Sequence, residues 1–206
     1  AIETDMGTAA LLICASLIVM FVSGSNIKMF IVSAFGSLSV LALAVWQNPN
    51  RLERFIAFLD LEAHKTGFGL QQWRAQLAMG EGGISGLGLG EGREKLMYMP
   101  FAHTDFIFPM IGEELGARIT LSVVLIFVLI LVFGVSISNS APDRFGKLLG
   151  FGLIILISLQ ALLNVAVTTG CLPNKGLPLP FVSYGGSNLL FCLAAVGIIL
   201  NIYRQG

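Results

Sequence analysis

The chain has 206 residues, 55% of them hydrophobic and only 12% charged, with a formal net charge of zero. Soluble domains carry about 25% charged residues, so this composition argues against an ordinary water-soluble domain and for a bilayer as the main solvent. A neutral chain also lacks the basic face that a nucleic-acid binder needs.

In chain order, Glu3-Thr-Asp-Met-Gly-Thr8 puts two carboxylates just ahead of an apolar run, where they read either as solvated end residues or as a motif outside the first span. Apolar segments then predict membrane spans at Gly7 to Val22, Met29 to Trp46, Leu115 to Ile137, Leu148 to Val167 and Leu189 to Tyr203, the last extendable back to Gly185. A span needs about 20 apolar residues. All are expected to be helices, because lipid cannot satisfy an open strand edge. Lys28, Arg144 with Lys147, and Arg204 fall in alternate connections and so on one side, which the positive-inside rule makes the cytoplasm. The loops from Gln47 to Thr104 and from Thr168 to Ser187 then lie outside.

The large outer loop carries its own pattern. Leu52, Phe55, Ile56 and Leu59 recur at helical spacing, with Arg51, Glu53, Arg54 and Asp60 on other faces. This predicts an amphipathic helix with one buried apolar face, lying on the membrane surface or on the spans. A second short helix is expected around Gln71 to Met79, presenting Trp73 and Leu77. The glycine-dense stretch from Gly80 to Gly92 has no GK[ST] and is not a P-loop. It is either a flexible turn or a place of close backbone approach.

Three groups of polar residues call for an explanation. His103, Thr104 and Asp105 stand where the loop re-enters apolar sequence, and Glu113 and Glu114 follow inside an apolar run. Ionisable groups at membrane depth are functional candidates. The structural alternatives are a helix cap from Thr104 or Asp105 and an ion pair between Glu114 and Arg118 at i, i+4. The segment from Leu172 to Asn188 holds Pro173, Pro178 and Pro180, which forbid a regular helix, and Gly185-Gly186, which permit tight backbone. It reads as a re-entrant turn or as the lining of a cavity. Cys14, Cys171 and Cys192 show no zinc-ligand spacing and are expected to be small apolar packing residues. Residue 1 is Ala, no signal peptide is visible, and the chain is expected to be the C-terminal part of something longer.

Together these residues resemble the SEDS family, the FtsW/RodA/SpoVE group of bacterial cell-wall polymerases. Glu3 to Thr8 is similar to the family's E/Q-P-D-L-G-T. Lys95 to Phe108 followed by Gly112-Glu-Glu-Leu-Gly116 is similar to K-L-x-F/Y-L-P-E-A-H-T-D-F-I-F…G-E-E-L-G. Pro178-Leu-Pro-Phe-Val-Ser-Tyr-Gly-Gly-Ser187 is similar to P-L-P-F-I-S-Y-G-G-S, and Pro173-Asn-Lys-Gly176 looks like the division-type, FtsW form. Thr4 stands where the family usually has proline and Phe101 where it has glutamate. Asp60-Leu-Glu-Ala-His-Lys65 replaces its D-P-x-x-D-P run.

The resemblance implies an all-α integral membrane protein with about five transmembrane helices. These would form one membrane domain over 1–206, the C-terminal half of a ten-span fold, with residues 47–104 as its large extracytoplasmic loop. It implies a peptidoglycan glycosyltransferase that polymerises lipid II at the outer face of the bacterial plasma membrane, at the division septum. Asp105 would be the general base and His103 its assistant. Lys95, Lys175 and Arg93 would neutralise the pyrophosphate leaving group, Ser183 and Ser187 would contact substrate, and Glu113 and Glu114 are secondary candidates. A divalent cation could share the charge, though no ligand set stands out. The implied partners are a class B penicillin-binding protein transpeptidase and other division proteins, in the membrane and away from nucleic acid. A lipid II flippase and a non-catalytic scaffold for a partner synthase are the alternative functions. For topology, a cysteine at Thr66 is expected to react with an impermeant thiol reagent on intact cells and one at Ser140 is not. Labelling of Ser140 but not Thr66 would contradict the orientation.

Overall fold

The computed structural model describes residues 6–93 and 104–205. Among them the chain forms seven helices and no strand: α1 (Met6–Val22), α2 (Ile27–Trp46), α3 (Pro49–Leu59), α4 (Leu70–Gly82), α5 (Ile107–Asn139), α6 (Arg144–Thr168) and α7 (Gly186–Gln205). α2, α5, α6 and α7 are long and apolar enough to cross a membrane. α1 is apolar with 17 residues, at the lower limit for a span. The chain is therefore an all-α, multi-pass membrane protein.

Each span starts and stops for local reasons. Asn26 caps α2 through its side-chain oxygen, which accepts from Lys28 N at 3.0 Å. Asp143 caps α6 by accepting from Gly146 N. α5 and α6 form an antiparallel hairpin that closes on small residues. A Cβ on Gly134 would run into Ile154, and one on Gly150 would meet Ser138 and Ile202 of α7. Small residues are how spans approach closely where lipid supplies no hydrophobic drive between helices. α1 packs on α6, whereas α2 buries none of its residues and packs mainly against α1 and α3. The turns at 23–26 and 140–143 meet at one end of the bundle, where the Arg144 guanidinium donates to the Ser23 carbonyl at 2.7 Å. That matches the grouping of Lys28, Arg144 and Lys147 on one side. α3, α4 and the 169–185 turn occupy the other end.

The structure departs from several expectations, each for a physical reason. The span predicted from Leu115 begins at Ile107, because the first turns of α5 carry Glu113 and Glu114 inside the helix. Its N-cap falls on Phe106 with no side-chain cap, so neither Thr104 nor Asp105 is the capping residue. Glu114 and Arg118 form no ion pair: Gly116, at φ 79° and ψ 176°, breaks the helix between them, leaving Glu114 buried and Arg118 exposed. α3 itself forms as expected, and of the two covers expected for its apolar stripe, the membrane surface and the spans, the spans do not supply one. Leu52, Phe55, Ile56 and Leu59 are 41–70% exposed, and it is Ala57 that faces inward. Helical spacing reveals an apolar face but not whether its cover is protein or lipid. Likewise Cys192 packs in the interior as expected, while Cys14 and Cys171 are exposed. The second loop helix forms as expected, with Trp73 half-buried under Lys65, whose Nζ is 5.5 Å from the ring centroid.

The break at Gly116 is made good by the glycine-dense loop. In an unbroken helix the Glu113 and Glu114 carbonyls would accept from residues 117 and 118. Instead they accept from Leu87 N and Gly88 N, both at 2.9 Å, while Ala117 N donates to Gly83 O at 2.9 Å. Gly82 and Gly86 make room, since a Cβ on either would collide with the backbone of Gly112 or Glu114. The loop is thus a backbone partner for α5, which answers the question its glycines raised. Gly116 lies in a region of backbone space that is essentially closed to other residues, with a cost of about 1–3 kcal/mol. Gly116→Ala is therefore expected to lower the melting temperature of the purified full-length protein. Gly197→Ala in α7, where a Cβ meets open space, is expected to leave it unchanged or raise it slightly. Equal melting of the two variants would contradict the clamp.

Candidate active site

Two irregular segments from distant parts of the sequence meet on one face of α6. The first is 104–106, leading into α5. Phe106 anchors it in a buried cluster with Met110 and with Ala75 and Ala78 of α4. The second is the proline-rich turn 177–185, seated by Leu179 against Phe108, Phe127 and Ala161. Prolines remove donors and helical geometry from this turn, so its carbonyls need side-chain partners. α6 provides them. Gln160 Nε2 donates to Pro178 O at 2.8 Å and to Asn188 Oδ1 at 3.0 Å. One turn along, Asn164 Nδ2 donates to Leu177 O at 2.6 Å and to Asp105 O at 2.8 Å. Ser183 is buried, its Oγ accepting from Leu179 N at 2.7 Å and donating to Thr104 O.

Asp105 itself is half-buried. Its carboxylate lies directly against Gly176, where a Cβ would come within 2.6 Å of Oδ2. A bare backbone at 176 is what allows this approach. Lys175 is the next residue, half-buried. Beside this pair opens a cavity of about 740 Å³ between α1, α3 and residues 172–177, within the range of ligand sites. Arg51, Arg54 and Lys175 supply its positive charge and Asn174 a further polar group, while α1, α2 and α6 contribute apolar walls. Arg51 is held by the end of α2, where its Nη1 donates to Ala44 O at 2.8 Å. Asn174 is held by Gln71 at 2.9 Å, and Gln72 ties α4 to the end of α6 through the carbonyls of Val167 and Leu172. A carboxylate, three cations and an apolar wall suit an amphiphile with an anionic headgroup.

The remaining expected site residues divide. Glu113 is fully buried and accepts from Arg93 N at 2.6 Å through Oε1. Gly92 lies against the carboxyl groups of both Glu113 and Glu114. These two glutamates thus close the end of the glycine loop, and Arg93 meets Glu113 through its backbone while its side chain is exposed. Ser187 is exposed at the start of α7. Lys95 and His103 lie outside the described residues. Among the described residues no group of three or more His, Cys, Asp or Glu side chains could hold a metal ion.

Sequence reasoning missed Arg51 and Arg54, taken only as the polar side of an amphipathic helix, and it missed Gln160 and Asn164. The second pair left a usable signal: two amides at i, i+4 inside an otherwise apolar span, where polar groups need a partner.

The chain is similar over nearly its whole length to known proteins. The FtsW/RodA/SpoVE family, described as cell cycle proteins, matches residues 1–206. The chain is 42% identical over 200 residues to the probable peptidoglycan glycosyltransferase FtsW of Trichlorobacter lovleyi, covering 97% of this chain and 52% of that protein. It is 37% identical to the stage V sporulation protein E of Bacillus subtilis, covering 98% of this chain and 55% of that one. A chain in a solved peptidoglycan synthase complex, studied for the coordination of polymerization and crosslinking, superposes with a TM-score of 0.76. The identity is 27%, over 98% of this chain and 56% of that one. The chain thus spans about half the length of the curated relatives it matches. With a match running from the first residue to the last, the chain belongs to the FtsW/RodA/SpoVE family.

Proposed function

We propose that this chain carries the catalytic face of a peptidoglycan glycosyltransferase that polymerises lipid II at the outer surface of the bacterial plasma membrane. The observation that carries the reading is the Asp105 carboxylate lying against Gly176, next to Lys175, at the edge of a cavity that also holds Arg51 and Arg54. The reaction needs a base and an anion clamp in that relation. The acceptor sugar's 4-hydroxyl attacks the anomeric carbon of the donor glycan and a C–O bond forms there. Asp105 takes the hydroxyl proton. The bond from the anomeric carbon to the phosphate oxygen breaks, and undecaprenyl pyrophosphate leaves with the electron pair. Lys175, Arg51 and Arg54 offset the charge that develops on it. Arg93 and Lys95 serve the same charge from the loop side, His103 assists the proton transfer, and Ser187 contacts the glycan.

The names of the FtsW relatives support this activity and favour the division-type role, at the septum. The neighbour in a peptidoglycan synthase complex supports a partner synthase, which we take to be a transpeptidase of the class B penicillin-binding type. A flippase would call for charged groups near the middle of broken spans. Here the break at Gly116 sits ten residues into α5, at the same end as the site, which favours surface chemistry over transport.

Asp105→Asn in the full-length protein with its partner is expected to lower lipid II polymerisation roughly 100-fold or more, the worth of a general base. Near-normal product would remove Asp105 from that role, and with it the reading. The double change Arg51→Gln and Arg54→Gln is expected to raise the KM for lipid II about tenfold or more, since charge-assisted hydrogen bonds contribute about 1.5–3 kcal/mol each. An unchanged KM in steady-state assays would place the pyrophosphate elsewhere.

A further inference from the structure

We infer that Asn164 is a positioning residue that sets where the Asp105 carboxylate stands, which rests on Asp105 being the base. One side-chain amide, 2% exposed, uses its nitrogen to hold two backbone carbonyls. One belongs to Asp105 and the other to Leu177, the neighbour of the Gly176 on which the carboxylate rests. The base and its backing surface are therefore indexed to the same atom of α6. Both partners are carbonyls, so the amide nitrogen must face them. The oxygen is then turned away, and among the described residues Asn164 Oδ1 has no hydrogen-bond partner. The side chain keeps both donors in use and leaves its acceptor unmet. That is the arrangement expected if holding those two carbonyls is what matters.

The neighbours on α6 keep this amide from drifting. The Asn164 carbonyl accepts from Thr168 Oγ1 at 2.9 Å, and Gln160, one turn away, pins the same proline turn at Pro178. Ser183 pins the adjacent carbonyl, that of Thr104. With Asn164 removed, residue 104 keeps its bond to Ser183, while residue 105 loses the bond that α6 makes to its carbonyl. The carboxylate remains in the site but loses its registration. A misplacement of about 1 Å in a reacting group can cost about 100-fold in rate.

The test uses full-length protein with its transpeptidase partner and lipid II. Asn164→Ala is expected to lower kcat about 10- to 100-fold with KM within about threefold of wild type, because Asn164 bonds the carbonyls of Asp105 and Leu177 and none of the three cations proposed to meet the headgroup. The rate of Asn164→Ala should fall on acidification over the same range as in wild type, from a lower plateau, since Asp105 is still the base. Ser138→Ala, an equally buried hydroxyl at the opposite end of α5, should leave both constants unchanged. Should Asn164→Ala not fold, Asn164→Asp and Asn164→His separate the readings. The charged Asp has the shape without a donor and should behave as the Ala variant is expected to, while His retains one ring N–H and should recover part of kcat. A normal kcat in Asn164→Ala, a raised KM with normal kcat, or equal activity of the Asp and His variants would overturn the inference. If Asp105→Asn is inactive and Asn164→Ala is normal, only the positioning role falls. If Asp105→Asn is near normal, the base reading falls and the positioning role falls with it.

Discussion

A backbone amide or carbonyl at the edge of a bilayer must find its partner within the protein, and the structure is organised around that constraint. The helix that delivers Asp105 to the membrane surface is broken at Gly116, which leaves the Glu113 and Glu114 carbonyls and the Ala117 N–H without helical partners. Gly83, Leu87 and Gly88 take all three. The loop then ends on the Glu113 carboxylate, through Arg93 N. Without this clamp the start of α5 would have no fixed direction, and the segment bearing Asp105 would have no fixed height above the bundle. The two glutamates that look chemical in the sequence are thereby given a structural reason to be buried.

The same constraint operates on the other half of the site. The turn from Leu177 to Gly185 cannot be a helix, and its carbonyls are met by side-chain amides on α6 in place of water. Gln160 and Asn164 do for this turn what the glycine loop does for α5. The result is an irregular backbone whose Leu177 and Pro178 carbonyls are satisfied within the protein, as irregular backbone beside a membrane requires. Charge follows the backbone: Lys175 extends from the turn, and Arg51 and Arg54 extend from α3 across the cavity. Cations on separate elements converge on one volume, and a pyrophosphate headgroup with its lipid tail against apolar walls has the matching charge and amphiphilic character.

The spans and their order were legible because apolar length is a local property. What was not legible depended on tertiary partners. Glu114 and Arg118 have the spacing of an ion pair, and only the positive φ of the intervening Gly116 separates them. The apolar stripe of α3 has the periodicity of a buried face, yet spacing cannot say that Ala57 would face inward and Leu59 outward. Arg51 and Arg54 looked like a solvated helix face until residues 172–177, far along the chain, closed a cavity over them. Asn164 and Gln160 were overlooked because apolar neighbours hid them, although an amide in a span has few alternatives to bonding with protein. Asp105 stood out in the sequence as a candidate base because it ends the polar loop where apolar sequence resumes. The helix cap offered as its structural alternative falls instead on Phe106.

The account stands or falls on where the lipid-linked headgroup binds. The most direct measurement is a structure of the full-length protein, with its partner, holding a polyprenyl-pyrophosphate glycan. The pyrophosphate should lie between α3 and residues 174–177, within hydrogen-bonding reach of Lys175 and of Arg51 or Arg54, with the Asp105 carboxylate facing the sugars. A headgroup bound on another face of the bundle, with Asp105 remote from any sugar hydroxyl or anomeric carbon, would contradict it.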